Sequence, residues 1–250
     1  MRHARQIMLR EIGGGGQNRL ARASIALVGT GGLGGPAGLY LAAAGMGRIV
    51  VIDPDVVEAS NLQRQVQFGE ADLGQPKAEV FARRLRALDA GVDVLAQGER
   101  LDAANANRFL SEADVILDGT DDFATRFVIN AASRALGAPL VSGAVAGWSA
   151  QVAVFNASPD APCYRCFVPR GPSDAAACET VGIVGAVAGL AGSVMALEAV
   201  KLITGAGEGL CGRLWLYDGL RAEGRNVRLR RDPGCPECGE GPRYGESVGD

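Results

Sequence analysis

Short apolar runs alternate with longer segments of helical period through the first 140 residues. The runs Ile25-Ala26-Leu27-Val28, Ile49-Val50-Val51-Ile52 and Val115-Ile116-Leu117 are too short for helices and apolar throughout. Strands covered on both faces of a parallel sheet have that character. Residues 92–96 read as a further strand, and 36–46, 76–88, 103–110 and 123–136 as helices. In the segment 76–88, Val80, Leu85 and Leu88 fall on one side, and Pro76 suits the first turn. Strand and helix in strict alternation predict an α/β fold with a parallel sheet.

The ends of the chain read differently. Residues 2–11 predict a short amphipathic helix, Gly13 to Gly16 a break, and 17–22 a second short helix leading into the first strand. Residues 139–142 and 151–155 are short strands separated by a glycine-containing connector. Beyond them the alternation stops. A Pro/Gly/Ser/Ala-rich loop over 169–177 precedes a long helix over 183–204, then strands at 214–217 and 227–229. Residues 240–250 read as a disordered tail, leaving 1–239 as one domain: N-terminal helices to 22, a part of alternating strands and helices over 23–158, and a cysteine-bearing C-terminal part over 159–239.

Around the first two strands the pattern acquires chemistry. Gly29-Thr30-Gly31-Gly32-Leu33-Gly34-Gly35 follows the first strand at once, and the second ends in Asp53. Glycines let backbone approach phosphates, a helix N-terminus offers free N–H groups, and an acid about 20 residues on takes ribose hydroxyls. The same turn also serves plain close packing. Asn61-Leu62-Gln63-Arg64-Gln65 and Asp72-Leu73-Gly74-Gln75-Pro76-Lys77 then place two cations beyond the ribose position. A dinucleotide dehydrogenase has little need of them, whereas a triphosphate site does. The fourth strand ends in Asp118-Gly119-Thr120-Asp121-Asp122, on the sheet edge where Asp53 also lies. Asp121 is the candidate partner of a metal-bound phosphate. Asp122 has the plainer role of capping the helix that follows.

Composition narrows the partners. Of 250 residues, 48% are hydrophobic and only 5% aromatic, with 36 glycines, so the core is aliphatic side chains packed around glycine. A net charge of -3 gives no electrostatic footprint for nucleic acid. Arg2, Arg5 and Arg10 interrupt any signal-like apolar stretch, and the segment 182–197 reads as a buried helix, so a cytoplasmic protein without a membrane span is expected.

The six cysteines divide into three kinds. Cys163-x-x-Cys166 and Cys235-x-x-Cys238, each with proline or glycine close by, match the spacing of a four-thiolate structural zinc site; local disulfides or a redox dithiol are the alternative. Cys178 stands alone in the small-residue loop, either a nucleophile or a buried filler. Cys211, beside a glycine turn, reads as filler. His3 is the only histidine, which argues against a Ser/His/Asp or Cys/His triad.

Together, G-T-G-G-L-G with Asp53, N-L-Q-R-Q, D-L-G-Q-P-K, L-D-G-T-D-D, C-Y-R-C, the Cys178 loop and C-P-E-C closely resemble the E1-like adenylyltransferases of the MoeB/ThiF family. The likeness runs from about Arg2 to Gly239, nearest to the molybdopterin branch and next to the thiamine branch. It implies a Rossmann-like E1-type α/β fold, its mainly parallel sheet extended by C-terminal antiparallel strands and carrying a four-cysteine zinc site. It also implies ATP-dependent adenylation of the C-terminal glycine of a ubiquitin-like sulfur carrier ending in Gly-Gly.

Carried over by position, the resemblance assigns Gly29, Gly31, Gly32 and Gly34 to the nucleotide and Asp53 to its ribose. Arg64 and Lys77 go to the triphosphate with Asn61 nearby, Asp121 to Mg²⁺, and Cys163, Cys166, Cys235 and Cys238 to zinc. Arg5 would reach a neighbouring subunit's site in a homodimer, and Cys178 is the crossover-loop cysteine. Gly13 to Gly16 and Pro36 depart from the usual pattern without touching a matched functional position. With no rhodanese-like domain in the chain, a separate sulfur donor is expected. A nicotinamide-dependent dehydrogenase leaves Arg64, Lys77 and the paired cysteines unexplained. A carrier-binding scaffold leaves Arg64, Lys77 and Asp121 without a purpose, and a related enzyme acting on modified tRNA would call for a basic surface that a net charge of -3 does not suggest.

Overall fold

A computed structural model of the protein describes residues 2–171 and 182–239. Its strands are β1 (Ser24–Val28), β2 (Arg48–Ile52), β3 (Asp93–Gln97), β4 (Val115–Asp118), β5 (Leu140–Ala146), β6 (Ser149–Phe155), β7 (Arg213–Asp218) and β8 (Glu223–Arg228). They form one sheet in the order β3-β2-β1-β4-β5-β6-β7-β8. The first five are parallel to one another, and the last three extend the sheet antiparallel. The expected mainly parallel sheet with an antiparallel C-terminal extension is therefore the observed one.

Alternate residues of the central strands serve two cores. Ile25, Leu27, Ile49, Val51, Val115 and Leu117 face the core shared with helices α2 (Gly13–Arg22), α3 (Gly34–Ala43), α4 (Lys77–Leu88) and α8 (Gly185–Thr204). Ala26, Val28, Val50, Ile52 and Ile116 face the opposite core, covered by α5 (Ala106–Leu110) and α6 (Phe123–Leu136). Burial on both sides explains why these strands read as unbroken apolar runs. By length and composition α8 is the one helix among the described residues apolar enough to cross a membrane. Here it lies in the fold, with Val187, Ala188, Ala191, Met195, Ala196 and Ala199 all buried.

Several element boundaries differ from the sequence expectation. Gly13 to Gly16 do not break the chain: they form the first turn of α2, and the helix buries Gln17 and Leu20. Packing here overrides a poor helix propensity. The N-terminal helix shrinks to α1 (Ala4–Ile7). Pro76 is the N-cap of α4 rather than part of its first turn, and Leu88 is 38% exposed. β5 and β6 lengthen until only Gly147 and Trp148 separate them. β8 begins at Glu223 and is exposed along its whole length, so no apolar pattern could announce it. Pairing with β7 creates that strand.

The strand order reverses between β1 and β4, and the parallel strands end level. Val28 pairs with both Ile52 and Asp118, and Ile52 with Gln97. Gly29, Asp53 and Gly119 therefore leave the sheet side by side at its switch point, where open α/β sheets bind ligands.

Candidate active site and metal centre

The glycine loop is shaped by contact with its neighbours. Gly29 adopts φ +83°, and a Cβ there would lie 3.1 Å from Gly119. A Cβ on Gly34 would lie 1.9 Å from the Gly29 carbonyl oxygen, so the first turn of α3 sits on the loop only without a side chain. Asp53 is 4% exposed. Its Oδ2 accepts hydrogen bonds from the Thr30 amide and hydroxyl, both at 2.7 Å, and its Oδ1 accepts one from the Asp55 amide at 3.0 Å. The acid thus ties the glycine loop to the end of β2. Gln67, buried beneath the loop, donates to the carbonyls of Thr30 and Gly31.

An open cleft of about 1840 Å³ runs from this loop across the antiparallel strands. Gly29, Gly31, Gly32, Asp53, Arg64, Lys77 and Asp121 all line it, although they come from five separate segments. Gly34 and Asn61 do not line it: Gly34 packs against Gly29, and Asn61 is buried with its carbonyl accepting from the Arg64 amide at 3.0 Å. Lys77 is 5% exposed, and its Nζ lies 3.1 Å from Asp55 Oδ2. Arg64 is held to the Ser60 carbonyl at 3.1 Å. The cleft exceeds the roughly 300–1,000 Å³ of an ordinary small-molecule pocket. It has room for a nucleotide and an extended stretch of a second chain.

At the end of β4 the three acids separate in role. Asp118 is 1% exposed. It accepts from the Thr120 amide (3.0 Å) and hydroxyl (2.7 Å) and from Ser142 Oγ (2.7 Å). Asp122 caps α6, accepting from the Ala124 and Thr125 amides and the Thr125 hydroxyl. The Thr125 hydroxyl first of all, with those amides, holds its carboxyl below the usual range against the opposing effect of burial. Asp121, between these two anchored acids, is exposed and faces the cleft. An exposed carboxylate is a hard oxygen donor, the kind of ligand a divalent cation such as Mg²⁺ accepts.

The four paired cysteines meet. Their Sγ atoms all lie within 4.8 Å of one another, with Cys163 to Cys235 at 3.6 Å, Cys163 to Cys166 at 3.9 Å and Cys166 to Cys238 at 3.3 Å. Tetrahedral zinc thiolates with bonds of about 2.3 Å would stand about 3.8 Å apart, so the donor set fits. The Asp232 and Glu237 amides point at Cys166 and Cys235 Sγ. Burial, reinforced by the neighbouring sulfurs, pushes the Cys163 thiol far up and Cys166 up to about 11. A bound cation reverses that bias by stabilising thiolates.

Other expected residues fall elsewhere. Arg5 is exposed on α1 and does not line this chain's cleft. Its neighbour His3 packs at Gly45 and Asp89, by the opposite edge of the sheet. Cys178 and the tail from 240 lie outside the described residues. Cys211 is exposed, which overturns its reading as a buried filler. The residue that sequence reasoning missed is Arg126, 6% exposed and hydrogen-bonded to three elements. In sequence it is one more arginine on a helix.

Known proteins with the same organisation are numerous. The chain is 45% identical to the sulfur carrier protein adenylyltransferase of Thermus thermophilus, over 99% of this chain and 93% of that one. It is 42% identical to the sulfur carrier protein ThiS adenylyltransferase of Escherichia coli, over 96% and 95%. Among solved structures, Escherichia coli MccB with AMPCPP and MccA superposes with a TM-score of 0.83 at 23% identity, over 96% of this chain and 74% of that one. The profile of the ThiF family matches residues 3–237, from the start of α1 to within the second cysteine pair, and the chain belongs to that family.

Proposed function

We propose that the protein is an adenylyltransferase that activates the C-terminal glycine of a small ubiquitin-like sulfur-carrier protein with ATP and Mg²⁺. The observation that carries this reading is the gathering of Arg64, Lys77 and Asp121 around one glycine loop, in a cleft long enough to admit a chain terminus as well as a nucleotide. Relatives at 42–45% identity that are named for this activity support it. Gly29, Gly31, Gly32 and Gly34 take the nucleotide, Asp53 the ribose, and Asn61, Arg64 and Lys77 the phosphates.

In the reaction a carboxylate oxygen of the carrier terminus attacks the α-phosphorus of ATP in line. The bond from the α-phosphorus to the bridging oxygen breaks, and pyrophosphate leaves with those electrons. No proton need be moved, so the absence of a cleft histidine is no obstacle. Positioning and charge neutralisation do the work. Asp121 would hold Mg²⁺, which when bound neutralises phosphate charge. Cys163, Cys166, Cys235 and Cys238 would hold a structural zinc, pinning residues 235–238 to the loop after residue 160. A homodimer in which Arg5 enters the partner's cleft accords with its position away from its own. A separate donor would supply sulfur for molybdopterin or thiamine biosynthesis.

Calorimetry tests the ligand class: ATP with Mg²⁺ should bind, and NAD should not. Tight NAD binding with none for ATP would sink the proposal. Exchange of labelled pyrophosphate into ATP, dependent on a small protein ending in Gly-Gly, tests the reaction. A further prediction concerns Cys178, since adenylation requires no thiol. Cys178→Ala should leave that exchange largely intact and impair only a later sulfur-transfer step. Loss of exchange in a folded, zinc-loaded variant would contradict this division.

A further inference from the structure

We propose that Tyr164, inside the first cysteine pair, and Arg126 together position the loop that presents Asp121, so that the four-cysteine knuckle buttresses the cleft as well as the C-terminal segment. The inference rests on the reading of Asp121 as the Mg²⁺-phosphate acid. Arg126 lies on the face of α6 that also carries Phe123, Phe127 and Asn130, at helical spacings of three and four. Its Nε donates to the Thr120 carbonyl at 3.1 Å, and its second terminal nitrogen donates to the same oxygen and to the Gly143 carbonyl at 3.0 Å. Its first terminal nitrogen donates to the Tyr164 hydroxyl at 3.3 Å. The Thr120 carbonyl belongs to the peptide that joins Thr120 to Asp121.

The knuckle end of this chain is equally well held. The short helix α7 (Tyr164–Phe167) carries Tyr164 at its start, 3% exposed. The Tyr164 amide donates to Asn130 Oδ1 at 2.8 Å, one turn beyond Arg126 on α6. Its ring meets Phe155 edge-on at 5.5 Å and Phe127 at 6.1 Å. Arg126 is therefore clamped between the knuckle and the loop. Its guanidinium is kept charged because Asp118 and Tyr164 outweigh the effect of burial. Asp118 grips Thr120 through its amide and hydroxyl. Asp121 has no anchoring hydrogen bond of its own to the described residues, so its placement depends on these neighbours.

A planar guanidinium that satisfies three acceptors at once is a rigid joint that lysine cannot copy. Removing the Tyr164 hydroxyl frees one donor of that joint and leaves the aromatic cluster in place. The test compares wild type with Tyr164→Phe, and with Arg126→Lys, which keeps the buried charge that Asp118 needs. Zinc content and melting temperature are measured first, then ATP affinity in metal-free buffer, then the Mg²⁺ concentration that half-saturates ATP binding. The expected result is full zinc content, metal-free ATP affinity as in wild type, and a half-saturating Mg²⁺ raised roughly two- to thirtyfold, the range seen when a packed coupling network is cut. A role confined to holding the knuckle would lower zinc content or melting temperature and leave the Mg²⁺ midpoint alone, which would overturn the proposal. Wild-type binding indifferent to Mg²⁺ would overturn the reading of Asp121 and this inference with it. A wild-type Mg²⁺ dependence that both variants retain unchanged would overturn the positioning role by itself.

Discussion

Lys77→Ala is expected to slow carrier-dependent exchange of pyrophosphate into ATP by roughly 10²–10³, the size of effect seen when one donor to developing charge is removed. Lys77 is a nearly buried ammonium whose carboxylate partner among the described residues, Asp55, sits at 3.1 Å on the rim of the cleft. Bringing a triphosphate there adds negative charge to a cation already desolvated, so little further desolvation opposes the interaction. The Asp55 side chain is 57% exposed, and water can serve it once the lysine is gone. The fold should therefore survive while turnover falls. Arg64→Ala should act in the same direction, because its guanidinium is more exposed and held by a single backbone carbonyl. A Lys77→Ala protein that melts as wild type and keeps its exchange rate would remove the triphosphate from this end of the cleft.

The second large effect concerns the metal centre. Protein purified without added metal should contain about one equivalent of zinc, with all four ligands supplied by the chain. Structural zinc binds small domains with an apparent free energy of about 10–16 kcal/mol, comparable to the whole stability of an ordinary domain. Four thiols crowded within 4.8 Å have no comparable attraction without it. Cys235→Ser is thus expected to lower the zinc content and the melting temperature sharply, and to release the segment around residues 231–239 first. Residues 163–166 stay tied to the fold by the Tyr164 amide and ring contacts. Metal-free ATP affinity should persist, because no cysteine of the cluster lines the cleft. An unchanged melting temperature would mean that the cluster does not hold a structural metal.

These expectations show how unevenly function is written along the chain. The glycine loop, Asp53, the two cations and the cysteine pairs stand out in sequence because each is a local signal, a short run with fixed spacing. Strands β1, β2 and β4 stand out for the same reason, since burial on both faces confines their polar residues to one end of each strand, at Ser24, Arg48 and Asp118. The separate roles of the clustered acids were half legible. The cap position of Asp122 follows from the helix start, whereas the burial of Asp118 under Thr120 and Ser142 does not.

By itself, then, the sequence determined the α/β order, the nucleotide-type loop, the candidate charges and the thiolate spacing. Tertiary structure alone decided that α2 runs through four glycines, because only helix packing compensates their poor propensity. It decided that the polar run 223–228 is a strand, because hydrogen bonds to β7 and not an apolar face define it. It also made Arg126 a joint between the cysteine knuckle and the Asp121 loop. That assignment depends on three carbonyl and hydroxyl partners at positions 120, 143 and 164, which only the folded sheet brings within reach of one guanidinium. Local spacing records chemistry confined to a few neighbouring residues; the pairing of distant backbone groups leaves no pattern until the chain has closed on itself.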